Sequence, residues 1–225
     1  MSIRNPAVFS RRYRAFLFDM DGTLLNSIAA AERVWSIWAE RHGLDVEAFL
    51  ATIHGVRAID TITRQALPGV DPEVEARWIT EAELNDVEGV VAIPGAVEFL
   101  TRLPADQWAL VTSAPKALAL RRLQAAGIPV PTVLVTAEDV ASGKPDPACY
   151  VLGAQRLGVA VQDCLVFEDA AVGIRAGEAA GADIMVVTST HLVAMMTPHA
   201  CIEGYGTLRA LRDVDGLLSL RKREP

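Results

Sequence analysis

Phe16-Leu17-Phe18-Asp19-Met20-Asp21-Gly22-Thr23-Leu24 decides how the chain folds. A short apolar run breaks off into two carboxylates and a glycine. That is the pattern of a buried strand whose carboxyl end opens onto a ligand crevice. Gly22 permits a sharp turn, so Asp21 can bring both its side chain and its main-chain carbonyl to the place where Asp19 points. Oxygen donors of these two kinds suit a hard cation such as Mg²⁺. An Asp-Gly pair taken alone also suits an ordinary turn, and the residues downstream must decide.

Further short apolar runs follow at Trp108–Val111, Val133–Val135, Cys164–Phe167 and Ile184–Val187. Helical patterns lie between them: from Pro94 to about Leu103, Pro115 to Ala126 and Pro147 to Leu157, each with proline near its start and the last two followed by glycine. This alternation predicts an α/β fold, a parallel sheet with helices on both faces. One connection breaks the rule. Roughly 70 residues separate Leu24 from Pro94 where about 2–6 suffice, so the segment is an inserted domain. Ile28, Ala31, Val34, Trp35 and Trp38 make one helical stripe that ends at Gly43, and Asp71-Pro72 opens a second helix through Val74, Trp78 and Ala82. The expected layout is a core of residues 1–24 and 94–225 with a helical cap of 25–93 over the crevice. The tryptophans read as cap core, and His199 onward reads as a final edge strand followed by a short helix around Leu208 and Leu211.

Each later strand end repeats the theme of the first. Thr112 and Ser113 bring hydroxyls and backbone N–H groups to a helix start, where anions are stabilised. Lys144 stands in the tight loop Ser142–Pro147, at a helix entrance that ordinarily repels cations, and so fits the partner of a bound anion. Glu168 and Asp169 close another strand, and carboxylates crowded beside Asp19 and Asp21 are costly unless a divalent cation neutralises them.

DMDGT (Asp19–Thr23), VTS (Val111–Ser113), the GKP lysine Lys144 and FED (Phe167–Asp169) resemble, in order, the four motifs of the haloacid dehalogenase superfamily. The resemblance runs from Arg14 to about Ser189. It implies a Rossmann-like core with strand order 5-4-1-2-3, a helical cap of the first class, and a Mg²⁺-dependent phosphatase of sugar or polyol phosphates. Asp19 would be the nucleophile that forms an aspartyl-phosphate, and Asp21 the general acid and base. Mg²⁺ would be held by Asp19, the Asp21 carbonyl and Asp169, with Glu168 orienting a metal-bound water. Thr112, Ser113 and Lys144 would hold the phosphoryl group. His54-Gly55-Val56-Arg57 resembles a cap segment of the sugar- and glycerol-phosphate phosphatases, which makes His54 and Arg57 candidate substrate contacts. Asp21 and Asp169 argue against carbon–halogen cleavage, and the absence of lysine from Ile28 to Val91 argues against a phosphonatase. A phosphosugar mutase of the β-phosphoglucomutase type and a non-catalytic phosphosugar-binding protein remain as alternatives, with Thr23 favouring hydrolysis over the first.

A net charge of −7 argues against a nucleic-acid partner, and no apolar stretch of about 18 residues offers a membrane span. Cys149, Cys164 and Cys201 form no CxxC pair and read as structural thiols in a reducing cytoplasm. Ser10-Arg11-Arg12 opens no signal-like apolar region, so a solvated basic arm is expected before the first strand. Monomer and homodimer both stay open.

Overall fold

A computed structural model of the chain describes residues 7–222; residues 1–6 and 223–225 of the expected core lie outside them. Helix α1 (Ala7–Ser10) precedes β1 (Ala15–Phe18), and a two-residue strand β2 (Leu25–Asn26) follows. Helices α2 (Ile28–Arg41), α3 (Val46–Leu50), α4 (Ala58–Gln65) and α5 (Pro72–Asn85) come next, and β3 (Val91–Ala92) returns to pair antiparallel with β2. The remaining elements are α6 (Ala96–Thr101), β4 (Trp108–Val111), α7 (Lys116–Ala125), β5 (Val133–Val135), α8 (Ala148–Arg156), β6 (Cys164–Glu168), α9 (Ala171–Ala180), β7 (Asp183–Val187), β8 (Ala200–Ile202), β9 (Leu208–Arg212) and β10 (Leu218–Lys222).

Six strands form one sheet in the order β5-β4-β1-β6-β7-β8, every pair parallel. Counting β1, β4, β5, β6 and β7 as first to fifth gives the expected 5-4-1-2-3 order, extended at one edge by β8. The reason is visible in the side chains. Phe16 and Phe18 pack on one face with Leu110, Leu165 and Phe167, while Ala15 and Leu17 pack on the other with Ala109, Val111 and Val166. Period-two alternation with both faces apolar demands cover on both sides. Gly177 turns toward the sheet from α9, where a Cβ would stand 2.5 Å from the terminal methyl Ile184 Cδ1 and 3.4 Å from Val166 Cγ1.

The helical insertion carries a core of its own: Val34, Trp35, Trp38, Ala39, Phe49, Ile53, Ile62 and Ile79. Trp38 is fully buried and donates its indole N–H to Glu75 at 2.8 Å. Burial of such a ring stabilises the unit by about 2–3 kcal/mol. Trp78 is only half-buried, with the Arg41 guanidinium over its ring at 4.3 Å. The Asp71 carboxylate caps α5, accepting from the backbone N–H of Glu73 at 2.9 Å, with Pro72 in the first turn as its sequence predicts.

Two expectations are corrected. Among the described residues the tail forms no helix after β8: Leu208 and Leu211 lie on β9, which pairs antiparallel with β10. Asp213 shapes the turn by accepting from the backbone N–H groups of Asp215 and Leu217, both at 2.9 Å, and Gly216 supplies a φ of +79°. The arm before β1 is not simply solvated. Arg11 pairs with Asp183 at 2.9 Å and Arg12 with Asp213 at 2.8 Å, while Tyr13 exchanges backbone hydrogen bonds with Leu218. Among the described residues no helix is long and apolar enough to cross a membrane.

Candidate active site

In a parallel sheet every strand ends at the same edge, so residues far apart in sequence meet there. Asp19 continues the ladder past β1, donating its backbone N–H to Phe167 O at 3.0 Å. The chain then turns back on itself, with Gly22 N–H donating to Leu25 O at 2.7 Å. Gly22 has a φ of +87°, and a Cβ there would overlap the Asp169 carboxylate. Both the left-handed backbone and the closeness of Asp169 therefore require glycine.

Lys144 is the hub. Its ammonium donates to Asp19 Oδ1 at 2.5 Å and to Glu168 Oε1 at 2.7 Å, with all three side chains almost wholly buried. The sequence reading makes this lysine the partner of a bound anion; its partners in the structure are the protein's own carboxylates Asp19 and Glu168. Burial alone would lower its pKa, but Asp19 and Glu168 outweigh burial and hold the ammonium charged. Burial pushes Asp19 up to about 7, opposed mainly by Lys144. Asp169 is pushed well above the carboxylate range, first by burial and then by Glu168 and Asp19.

Asp19, Glu168 and Asp169 bring one carboxylate oxygen each to within 4.8 Å of the others. One ammonium among three buried carboxylates leaves surplus negative charge, and an all-oxygen donor set fits a hard divalent cation. The three are not equivalent. Glu168 accepts from Lys144 and Tyr150 on Oε1 and from the backbone N–H groups of Asp169 and Ala170 on Oε2. Four donors occupy its lone pairs, so Glu168 acts as the anchor of Lys144 and of the β6 carboxyl end. Asp169 accepts from the Thr23 hydroxyl at 3.1 Å on Oδ1. Asp19 and Asp169 are thus the side chains open to a cation.

A cavity of about 930 Å³ lies between sheet edge and insertion, and Asp19, Asp21, Thr112, Ser113, His54 and Asp169 are all on its wall. Thr112 Oγ1 accepts from Ala114 N–H at 3.0 Å, while Ser113 donates its hydroxyl to Gly55 O, also on the wall, at 2.9 Å. His54 stands 3.6 Å from Glu32, also on the wall. Arg57 is elsewhere. Its guanidinium makes a two-pronged bond to Asp60, at 2.6 and 2.9 Å, and reaches the carbonyls of Val140 and Ala141. It clasps the loop that carries Lys144 and is not on the cavity wall. Trp35 serves both roles, packed in the insertion's core and exposing an edge to the cavity.

Sequence reasoning missed a buried bridge. Arg122 of α7 donates to Asp21 Oδ1 at 3.0 Å through Nη1 and to Glu83 Oε1 of α5 at 3.0 Å through Nη2. The Ser27 hydroxyl adds a second donor to Asp21 Oδ1 at 2.5 Å. A signal existed, because Arg122 shares an apolar stripe with Leu118 and Ala119, and Glu83 shares one with Ile79. A charge on a buried stripe needs a partner. His191, on the cavity wall with its ring 3.0 Å from Asp169 O, and Tyr150 were missed as well.

Residues 13–181 match the family model described as haloacid dehalogenase-like hydrolase. Hexitol phosphatase A of Escherichia coli is 44% identical over 182 residues, covering 79% of this chain and 84% of that protein. Glycerol-1-phosphate phosphohydrolase 2 of Saccharomyces cerevisiae is 32% identical over 203 residues, covering 85% and 81%. Among solved structures, CbbY from Rhodobacter sphaeroides in complex with phosphate superposes with a TM-score of 0.69 over 85% of this chain and 94% of that one. At 20% identity, that likeness concerns the fold alone.

Proposed function

The chain belongs to the haloacid dehalogenase-like hydrolases, and from that premise we propose that it hydrolyses phosphate monoesters of small sugars or polyols, using Asp19 as nucleophile and Mg²⁺ as cofactor. Residues 25–93 act as the cap over a core of 1–24 and 94–225. The observation that carries the reading is Lys144 bonded to Asp19 at the buried end of a cavity large enough for a phosphorylated sugar. The names of the hexitol and glycerol phosphate enzymes support the substrate class.

Lys144 occupies Asp19 Oδ1, which leaves Oδ2 to attack phosphorus. The Oδ2–P bond forms as the ester P–O bond breaks, and Asp21 gives its proton to the departing oxygen. Ser27 and Arg122 both hold Asp21 by Oδ1, so Oδ2 is the oxygen placed to transfer that proton. Water then attacks the aspartyl-phosphate while Asp21 takes back a proton, and inorganic phosphate leaves. Lys144 and the backbone beyond Thr112 balance charge on the phosphoryl oxygens. Asp19, the Asp21 carbonyl and Asp169 would hold Mg²⁺, which when bound supplies charge neutralisation at the phosphoryl group.

Three free cysteines fit a reducing compartment, and the cytoplasm is the proposed location. A mutase would convert one sugar phosphate into its isomer without releasing phosphate, so the assay that tests hydrolysis also separates the two. Purified protein with Mg²⁺ should release inorganic phosphate from glycerol phosphate and hexitol phosphate, and Asp19→Asn should lower turnover by at least about a thousandfold. Undiminished turnover by the variant would overturn the mechanism.

A further inference from the structure

Arg122 bridges two carboxylates. One nitrogen holds Asp21, and Glu83 of α5 is buried against the other at 3.0 Å. Burying a second carboxylate there carries a desolvation cost that a glutamine or an apolar residue would avoid. Burial does push the Glu83 carboxyl upward in pKa, opposed mainly by Arg122. Glu83 lies on the cavity wall beside Thr80 and Trp35, one guanidinium's width beyond Asp21.

We infer that Glu83, oriented by Arg122, determines specificity by accepting hydrogen bonds from hydroxyls of an uncharged leaving group and repelling leaving groups that end in an anion. The inference rests on the phosphatase reading and deepens it. An ester oxygen beside Asp21 puts the next few carbons of the leaving group against Arg122 and Glu83. A polyol carries a hydroxyl donor on each of those carbons, and a carboxylate accepts from donors of that kind. The Thr80 hydroxyl extends the polar side of this wall, and Trp35 offers an apolar surface to the C–H groups. The cations on this wall are already engaged, Arg122 by Asp21 and Glu83, and Arg64 by Thr52 O at 3.1 Å. A leaving group with its own carboxylate or second phosphate would stand against the Glu83 carboxylate, with neither arginine free to neutralise it, and the like charges repel.

The test compares kcat/KM for glycerol 1-phosphate with that for phosphoglycolate, which is similar in size and ends in a carboxylate. Wild-type protein should prefer the polyol ester by at least tenfold. Glu83→Gln should shrink that ratio about ten- to a hundredfold, the loss expected for one charged hydrogen bond to a substrate hydroxyl. Equal use of the two esters by the wild type would overturn the inference without any variant. So would a folded Glu83→Gln protein whose ratio stays within twofold of the wild type. Failure of the phosphatase reading looks different, because the wild type would then release phosphate from neither ester.

Discussion

Replacing Gly173 with alanine should destabilise the protein, against the usual sign of that change in a helix. Gly173 sits in α9, where alanine is intrinsically better by about 1 kcal/mol. A Cβ at this position, however, would overlap Oε1 and Cδ of Glu168 and lie 2.6 Å from Oε2. That carboxylate cannot step aside cheaply. It holds Lys144 at 2.7 Å, Tyr150 at 2.8 Å, Asp169 N–H at 2.9 Å and Ala170 N–H at 3.1 Å. Breaking one partner out of a buried ion pair costs about 3–5 kcal/mol, so the net change is about 2–4 kcal/mol of lost stability. For a chain of this size that is roughly 5–15 °C in Tm. Lys144 loses one of its two carboxylates, and phosphate release should fall at least about tenfold. Gly177→Ala is the control: its nearest contact is the terminal methyl of Ile184, which can rotate away. Thermal unfolding in EDTA, followed by circular dichroism, together with a phosphate-release assay, measures both effects. A Gly173→Ala protein melting at or above the wild type with full activity would refute the role given to Glu168.

Two further outcomes follow from the site. Mg²⁺ should raise the melting temperature of protein stripped with EDTA, by a linkage energy of about 2.7 kcal/mol at a hundred times its Kd, and Asp169→Asn should abolish most of that shift; an equal shift in the variant would place the cation elsewhere. Arg57→Ala should weaken every phosphate ester's turnover by a similar factor, about tenfold, because Arg57 bonds to the Val140 and Ala141 carbonyls and not to the cavity. A loss confined to esters with longer leaving groups, read from a kcat/KM panel, would instead make Arg57 a substrate contact.

The fold was legible because each core strand is an apolar run closed by a polar signal. Trp108–Val111 and Val133–Val135 fall where their sequence predicts, to the residue. The tail was not legible for a concrete reason. Leu208 and Leu211 are three apart, a spacing that suits a helix, while the pairing that makes them a strand comes from Leu218–Lys222 and is anchored by Tyr13 some 200 residues away. Arg57 misled in the same way. Its spacing of three to Asp60 is an ordinary helix-start ion pair, and the resemblance of its neighbourhood to a cap segment concealed that local partner.

The legible and the hidden residues differ in how the backbone places them. Asp19, Thr112, Lys144 and Asp169 converge because each follows a parallel strand, and a parallel sheet delivers all its carboxyl ends to one edge whatever the sequence between. Chemistry can therefore be read from strand ends alone. Glu83 and Arg122 come from helix faces, and which face meets which is set by packing between α5 and α7. Their only trace in the sequence is a charge where the stripe calls for an apolar side chain. In such a protein the groups that break and form bonds are fixed by topology, whereas those that choose the leaving group are fixed by side-chain packing. A single substitution at Glu83 can then change which ester is cleaved while the Asp19 and Lys144 pair stays in place.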